Sequence, residues 1–253
     1  MRWLVLSCSI ATALSCNKAL ISLLPATSSP VEASVDGGSE SAGAPDAGVE
    51  PVPGLVSDWS FESGASDPVG GNDGTFLGGA SVVTDPTRGR VLSCNGTDAG
   101  VRVSNDVGLS FSFSAWIWSN TPSDTGTSAA ADGDTLVSAN VPAIDDFAFA
   151  VLNDRLSYIN YNQSSTGTTV VTDGQWHQVA FSREDGARVA LYVDGKLDGD
   201  GNSGSGSVTA NASVYFCGGE PAGRFFKGRI DDVRQYDRVL SPTEVRSLFV
   251  TAQ

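Results

Sequence analysis

The chain has 253 residues, a formal net charge of −14, and 29 glycines against a single methionine. Such an acidic balance excludes nucleic acid and anionic membrane surfaces as natural partners, because both select Lys and Arg. Short runs of Val, Thr, Ser and aromatic residues between glycine-rich turns point to an all-β protein.

Met1-Arg2 opens with a positive charge, and Trp3 to Ser15 is uncharged and mostly apolar or small. Residues 1–15 therefore read as a secretory signal, too short to span a membrane as a helix. Ala13-Leu14-Ser15-Cys16 has the form of a bacterial lipobox, in which Cys16 is lipidated and becomes the mature N-terminus. Ala11-Thr12-Ala13 offers ordinary cleavage as the alternative. Both routes imply export. The protein is expected at the outer membrane or cell surface if anchored, and periplasmic or secreted if not. Any membrane contact would run through the lipid alone.

Residues 16–53 are rich in Ser, Gly, Ala, Pro and acids, with no apolar periodicity from residue 25 onward. Such a segment cannot bury enough surface to offset its chain entropy and reads as a disordered tether. The remaining residues, 54–253, number about 200, a length that suits one β-sandwich.

Within that domain, Leu55 to Glu62 alternates and reads as the first strand, and Asp67 to Phe76 as a loop. Val91–Val103 contains further strand sequence. Phe111 to Trp118 has large residues on both faces, as in a central strand. More strands are expected at 135–139, 146–152, 155–161, 168–172, 175–183, 187–194, 213–218 and 228–236. Loops are expected at 119–133 and 198–207. Ser241-Pro242-Thr243-Glu244 starts a short C-terminal helix, with Ser as N-cap, Pro at the first position and Glu closing a capping box.

Several segments carry a family likeness in a fixed order: Trp59-Ser-Phe61-Glu62, Asn72-Asp73-Gly74-Thr75, Phe113-Ser-Ala-Trp116-Ile117, Asp173-Gly-Gln-Trp176-His177, Tyr192-Val-Asp-Gly195, and Phe226 through Val233 to Leu240-Ser241. The chain resembles the laminin-G-like, concanavalin-A-like jelly rolls, in particular the bacterial branch related to pentraxins. The resemblance implies a two-sheet antiparallel β-sandwich with a short C-terminal helix. It also implies a binding module, with glycan the favoured ligand and a cell-surface protein the alternative. A minority of relatives are glycan-active enzymes, so an enzyme with an unfamiliar site is the third reading.

Catalysis finds little support in the residues. Relatives that hydrolyse glycans carry Glu-x-Asp-x-x-Glu on one strand, which sets two carboxylates about 5 Å apart. The four domain glutamates, Glu62, Glu184, Glu220 and Glu244, have no such neighbours. His177 is the only histidine. No Gly-x-Ser-x-Gly turn suggests a nucleophile for it, and it reads as packing beside Trp176.

The resemblance further implies a structural calcium. In a jelly roll the first and last strands lie side by side, which would bring Glu62 towards Asp231 and Asp232, with Asn72 and its loop adding oxygens. The competing reading gives Asp231 and Asp232 backbone and Arg contacts. For ligand recognition, aromatic faces are the usual sugar platforms, and the candidates are Trp118, Tyr158 and Tyr161. Trp118 stands where relatives usually place a polar residue. Cys94 and Cys217 also depart from the family pattern, in which core residues fill those places. As the only two domain cysteines of an exported chain, they are expected to form a disulfide.

Overall fold

The computed structural model describes residues 52–126, 133–139, 147–160, 163–205, 208–218 and 224–251. The signal segment, Cys16, Tyr161 and all but the last two tether residues lie outside them. Among the described residues the alternating segments form two antiparallel sheets. The first runs β13 (Lys196–Gly201), β12 (Val189–Val193), β11 (Trp176–Arg183), β6 (Phe111–Trp118), β15 (Lys227–Tyr236), β4 (Gly89–Asn95) and β3 (Ser81–Asp85), with β1 (Leu55–Trp59) also paired to β15. The second runs β10 (Gln163–Val170), β9 (Arg155–Asn160), β8 (Ala148–Leu152), β7 (Asp134–Ser138), β14 (Ser213–Phe216), β5 (Gly100–Ser104) and β2 (Thr75–Leu77).

The inner faces enclose one core. Phe111, Phe113, Ala115 and Ile117 point inward from β6, and Val179 and Phe181 from β11. Phe113 stacks on Phe181 with ring centres 5.7 Å apart, and Trp59 meets Phe216 edge-on at 4.9 Å. Cys94 on β4 is bonded to Cys217, just past β14, with Cα atoms 5.6 Å apart. The disulfide therefore ties one sheet to the other.

Three elements differ from the sequence reading. β3 carries only Val82 and Val83 as apolar residues, and β13 consists largely of Asp and Gly, so neither shows a strand pattern. The short β2 begins inside the expected loop. The composition of β13 has a geometric reason. Its edge lies so close to β10 that a Cβ on Gly199 would stand 2.8 Å from the Thr166 carbonyl oxygen. Asp198 fastens this corner by accepting from the Thr168 and Thr169 amides at 3.1 and 3.0 Å.

The helix α1 (Pro242–Thr251) lies on the outer face of the first sheet. Its Val245 and Leu248 pack with Ala180, Ala190, Tyr192 and Tyr236. Ser241 and Glu244 form the expected capping box: the Ser241 amide donates to Glu244 Oε2 at 2.8 Å, and the Glu244 amide donates to Ser241 Oγ at 3.3 Å. Val52 also joins this cluster, so ordered packing begins two residues before the expected domain start at 54.

Candidate functional site

Strand parity decides what the outer face of the first sheet displays. Ala115 and Ile117 point into the core, so Trp116 and Trp118 point out. On β11, Val179 is inward and Gln178 and Trp176 are outward. The β6–β11 register pairs Trp118 with Trp176 and Trp116 with Gln178. Phe249 of α1 stacks on Trp116 at 5.9 Å. The result is an open groove of about 430 Å³ beside the helix, walled by Trp116, Trp176 and Phe249. Gln175, Asp194, Thr87 and Arg88 supply its polar lining.

Arg88 comes from the turn between β3 and β4. Its guanidinium lies 4.2 Å from the centre of the Trp116 ring and 5.5 Å from that of Trp176. Nε donates to Asp231 at 2.8 Å and an η nitrogen donates to Asp232 at 2.9 Å. Arg234 continues the chain of charge, with Asp58 at 3.2 Å and Asp232 at 3.6 Å. A β-bulge makes this possible. Between the pairings of Trp116 with Asp231 and Ser114 with Arg234, β6 advances two residues and β15 three. Asp232 is the extra residue, held at φ +47°. Burial, then the neighbouring Asp232 charge, pushes the Asp231 carboxyl up to about 7, even with Arg88 against it. Near neutrality Asp231 therefore keeps its proton part of the time.

A second ion cluster borders the groove. His177 Nδ1 lies 3.0 Å from Asp194 Oδ2, and Nε2 lies 3.1 Å from Asp173 Oδ1. An ionised carboxylate only accepts, so both bonds hold together when both ring nitrogens carry protons. The Asp194 hydrogen bond is the main cause that raises the His177 pKa. With both nitrogens engaged, neither is available to take a proton from a nucleophile, as a catalytic triad requires. No partner for His177 is visible in the sequence; the fold supplies two.

The four residues expected around calcium do not assemble as a cation site. Asp231 and Asp232 close on Arg88. A Glu62 oxygen accepts from the Arg90 amide at 3.1 Å. Asn72 is spent on the backbone: its side chain exchanges hydrogen bonds with Ser104, and its carbonyl accepts from the Trp59 indole at 2.9 Å. Among the described residues no three His, Cys, Asp or Glu side chains group as metal ligands. β1 does lie beside β15, as expected, but Arg234 bridges Asp58 of β1 and Asp232 of β15.

Of the aromatic candidates, Tyr158 is fully buried in the core, because it shares the inward parity of Leu156 on β9. It offers no face to a ligand. Trp118 is half-buried at the rim; its indole donates to the Gly174 carbonyl at 2.9 Å and Arg229 lies 4.8 Å over its ring. Tyr161 lies outside the described residues. Sequence reasoning missed Trp116, Trp176, Phe249 and Arg88 as groove residues. The common parity of Trp116 and Trp118 was the available signal; a lone Arg in a turn gave none.

A family model described as Laminin_G_3, the concanavalin A-like lectin/glucanases superfamily, matches residues 95–246. The chain is also similar to sushi, von Willebrand factor type A, EGF and pentraxin domain-containing protein 1 of Rattus norvegicus, at 30% identity over 113 residues. That match covers 40% of this chain and spans 3% of that protein's length. Among solved structures, the binding domain of Paraclostridial Mosquitocidal Protein 1 superposes with a TM-score of 0.63 at 16% identity, covering 78% of this chain and 52% of that one. Domain 4 of AbnA, a GH43 extracellular arabinanase from Geobacillus stearothermophilus, in complex with arabinotriose, gives 0.59 at 23% identity, covering 79% and 98%. At these identities the likeness is one of fold.

Proposed function

The chain belongs to the concanavalin A-like lectin/glucanases superfamily, and on that premise we propose that it is a non-catalytic binding module that takes a glycan in the groove between Trp116, Trp176 and Phe249. The observation that carries this reading is the groove itself. Three aromatic side chains wall an open cleft whose other lining groups are polar, the combination that packs the apolar face of a sugar while meeting its hydroxyls. Arabinotriose in a domain of the same fold supports the ligand class. The non-catalytic part rests on chemistry: the single histidine has both nitrogens engaged, and Asp231 and Asp232 are held by Arg88. Export, with Cys16 as lipid anchor and residues 16–53 as tether, completes the proposal; the disulfide fits an oxidising compartment. A glycan array probed with the purified domain tests the reading, with Trp176→Ala as control. Loss of signal in the variant supports it. Equal signal from both, or capture of a protein partner at an unrelated face, contradicts it.

A further inference from the structure

Asp194 lines two cavities. One is the aromatic groove. The other, of about 290 Å³, is also lined by Thr168 and Thr169 of β10 and by Lys196, Leu197 and Asp198 of β13. It therefore lies where an edge of each sheet meets the other, at the corner that Asp198 fastens. Asp194 and Gly195 make the tight turn that joins β12 to β13. Val193 pairs with Lys196 across it, and the two turn residues stand at φ +50° and +71°. Gly195 sits against α1: a Cβ there would lie 3.1 Å from Arg246 Cα and 3.1 Å from Phe249 Cβ. The turn thus meets the helix at Gly195 and borders both cavities at Asp194. The Asp194 carboxylate is drawn onto β11, with Oδ2 3.0 Å from His177 Nδ1 and Oδ1 accepting from the Gln178 amide at 3.1 Å. The one side chain common to both cavities is therefore fixed by the sheet.

Building on the groove as a glycan site, we propose that the second cavity is a further subsite, and that the protein takes a linear neutral oligosaccharide running from the aromatic groove past Asp194. No aromatic ring lines the second cavity, so it would hold hydroxyls more than ring faces. The Thr168 and Thr169 hydroxyls donate to Asp198 Oδ1 at 3.0 and 2.6 Å. Having given their protons, they still accept from sugar hydroxyls. The exposed Lys196 ammonium makes no ion pair among the described residues and is free to donate. Leu197, 51% exposed, is the apolar surface of the cavity. Two carboxylates, Asp194 and Asp198, stand against the one ammonium, so an acidic sugar gains nothing over a neutral one.

The test measures affinity against chain length. Wild type, Trp176→Ala and the double variant Lys196→Met, Leu197→Ser are titrated by calorimetry with cello-, xylo- and arabino-oligosaccharides from disaccharide to hexasaccharide, and with hexagalacturonate. The readout is the ratio of hexasaccharide to disaccharide affinity. In wild type it should reach at least about tenfold, the size of one or two added hydrogen bonds. A hexasaccharide also offers one groove several registers, so the variant decides how much of the ratio belongs to the second cavity. In Lys196→Met, Leu197→Ser the ratio should fall several-fold, whereas Trp176→Ala should weaken short and long sugars alike. Both changed residues are exposed, and wild-type melting in the double variant shows that the fold is kept. A wild-type ratio near one, or the same ratio in wild type and double variant, overturns the second subsite and leaves the groove standing. Tighter binding of hexagalacturonate than of every neutral hexasaccharide overturns the neutral preference. If wild type binds none of these sugars, the groove reading itself falls and this inference with it.

Discussion

Arg88 and Asp231 stand 2.8 Å apart in an ion pair whose side chains are only 12% and 5% exposed, with the Trp116 ring beneath the guanidinium. This contact joins the β3–β4 turn to the last strand, in the place where family likeness suggests calcium. It therefore sets the Arg88 guanidinium as a cation between these acids.

Arg88→Met should lower stability by about 2–4 kcal/mol at pH 8, because it takes the Arg88 cation from the buried Asp231 and leaves Asp232 only its longer contact with Arg234. The loss should shrink at pH 5. Asp231, already held up to about 7, then carries a proton and no longer needs a partner. Urea denaturation at the two pH values reads the difference. Exhaustive chelation should leave the wild-type melting curve where it was. A fall on chelation that calcium restores would mean that a metal, and not Arg88 alone, holds the site.

His177 gives stability a second pH dependence. Its folded pKa is raised above the ordinary 6.5 by the bond to Asp194. The stabilisation is therefore complete below about 6.5 and lost as pH climbs through the raised folded value. Asp231 acts in the same direction at lower pH: the folded state holds a proton that the unfolded state releases above 3.8, so stability declines from there to about 7. Subtracting the denaturation profile of His177→Gln from that of wild type isolates the histidine. The difference should narrow above pH 6.5; a difference flat from pH 5 to 9 would mean that the histidine is not coupled to its two aspartates.

Reducing the Cys94–Cys217 bond should cost about 4 kcal/mol, since it closes a long loop between the two sheets. The Cys94→Ser, Cys217→Ser double variant should melt well below wild type and show no further response to reductant. Intact mass after alkylation without reductant should find no free thiol in either domain cysteine.

Ser241→Ala should cost about 1 kcal/mol by removing the helix cap. It should also weaken glycan binding slightly, because α1 carries Phe249 to the groove. Arg238 holds the Glu244 carboxyl down to about 2. That contribution is present above the ordinary 4.5 and is lost as pH falls through about 2. A Ser241→Ala protein with unchanged stability would place the cap outside the folding cooperativity of the domain.

The sandwich, most of its strands, the helix cap and the disulfide were legible because each is written locally, as alternation, a capping pattern or a pair of cysteines. β3 and β13 were not, since an edge strand of Ser, Thr, Asp and Gly lacks the alternation that marks a strand. The groove was legible only in part. Parity shows that Trp116 and Trp118 share a face, but large side chains stand on both faces of β6 and nothing local says which one α1 covers. The bulge at Asp232 is the least visible feature. It turns Asp231 and Arg234 to one side and thereby decides that the acids meet arginines.

The proposed function rests on sugar binding in the Trp116–Trp176–Phe249 groove. Calorimetric titration of wild type and Trp176→Ala with the best glycan from an array tests it most directly, with melting temperature followed in parallel. At least tenfold weaker binding in the variant, with melting shifted little because Trp176 is partly exposed, is the predicted result. Equal affinity in the two proteins would contradict the account.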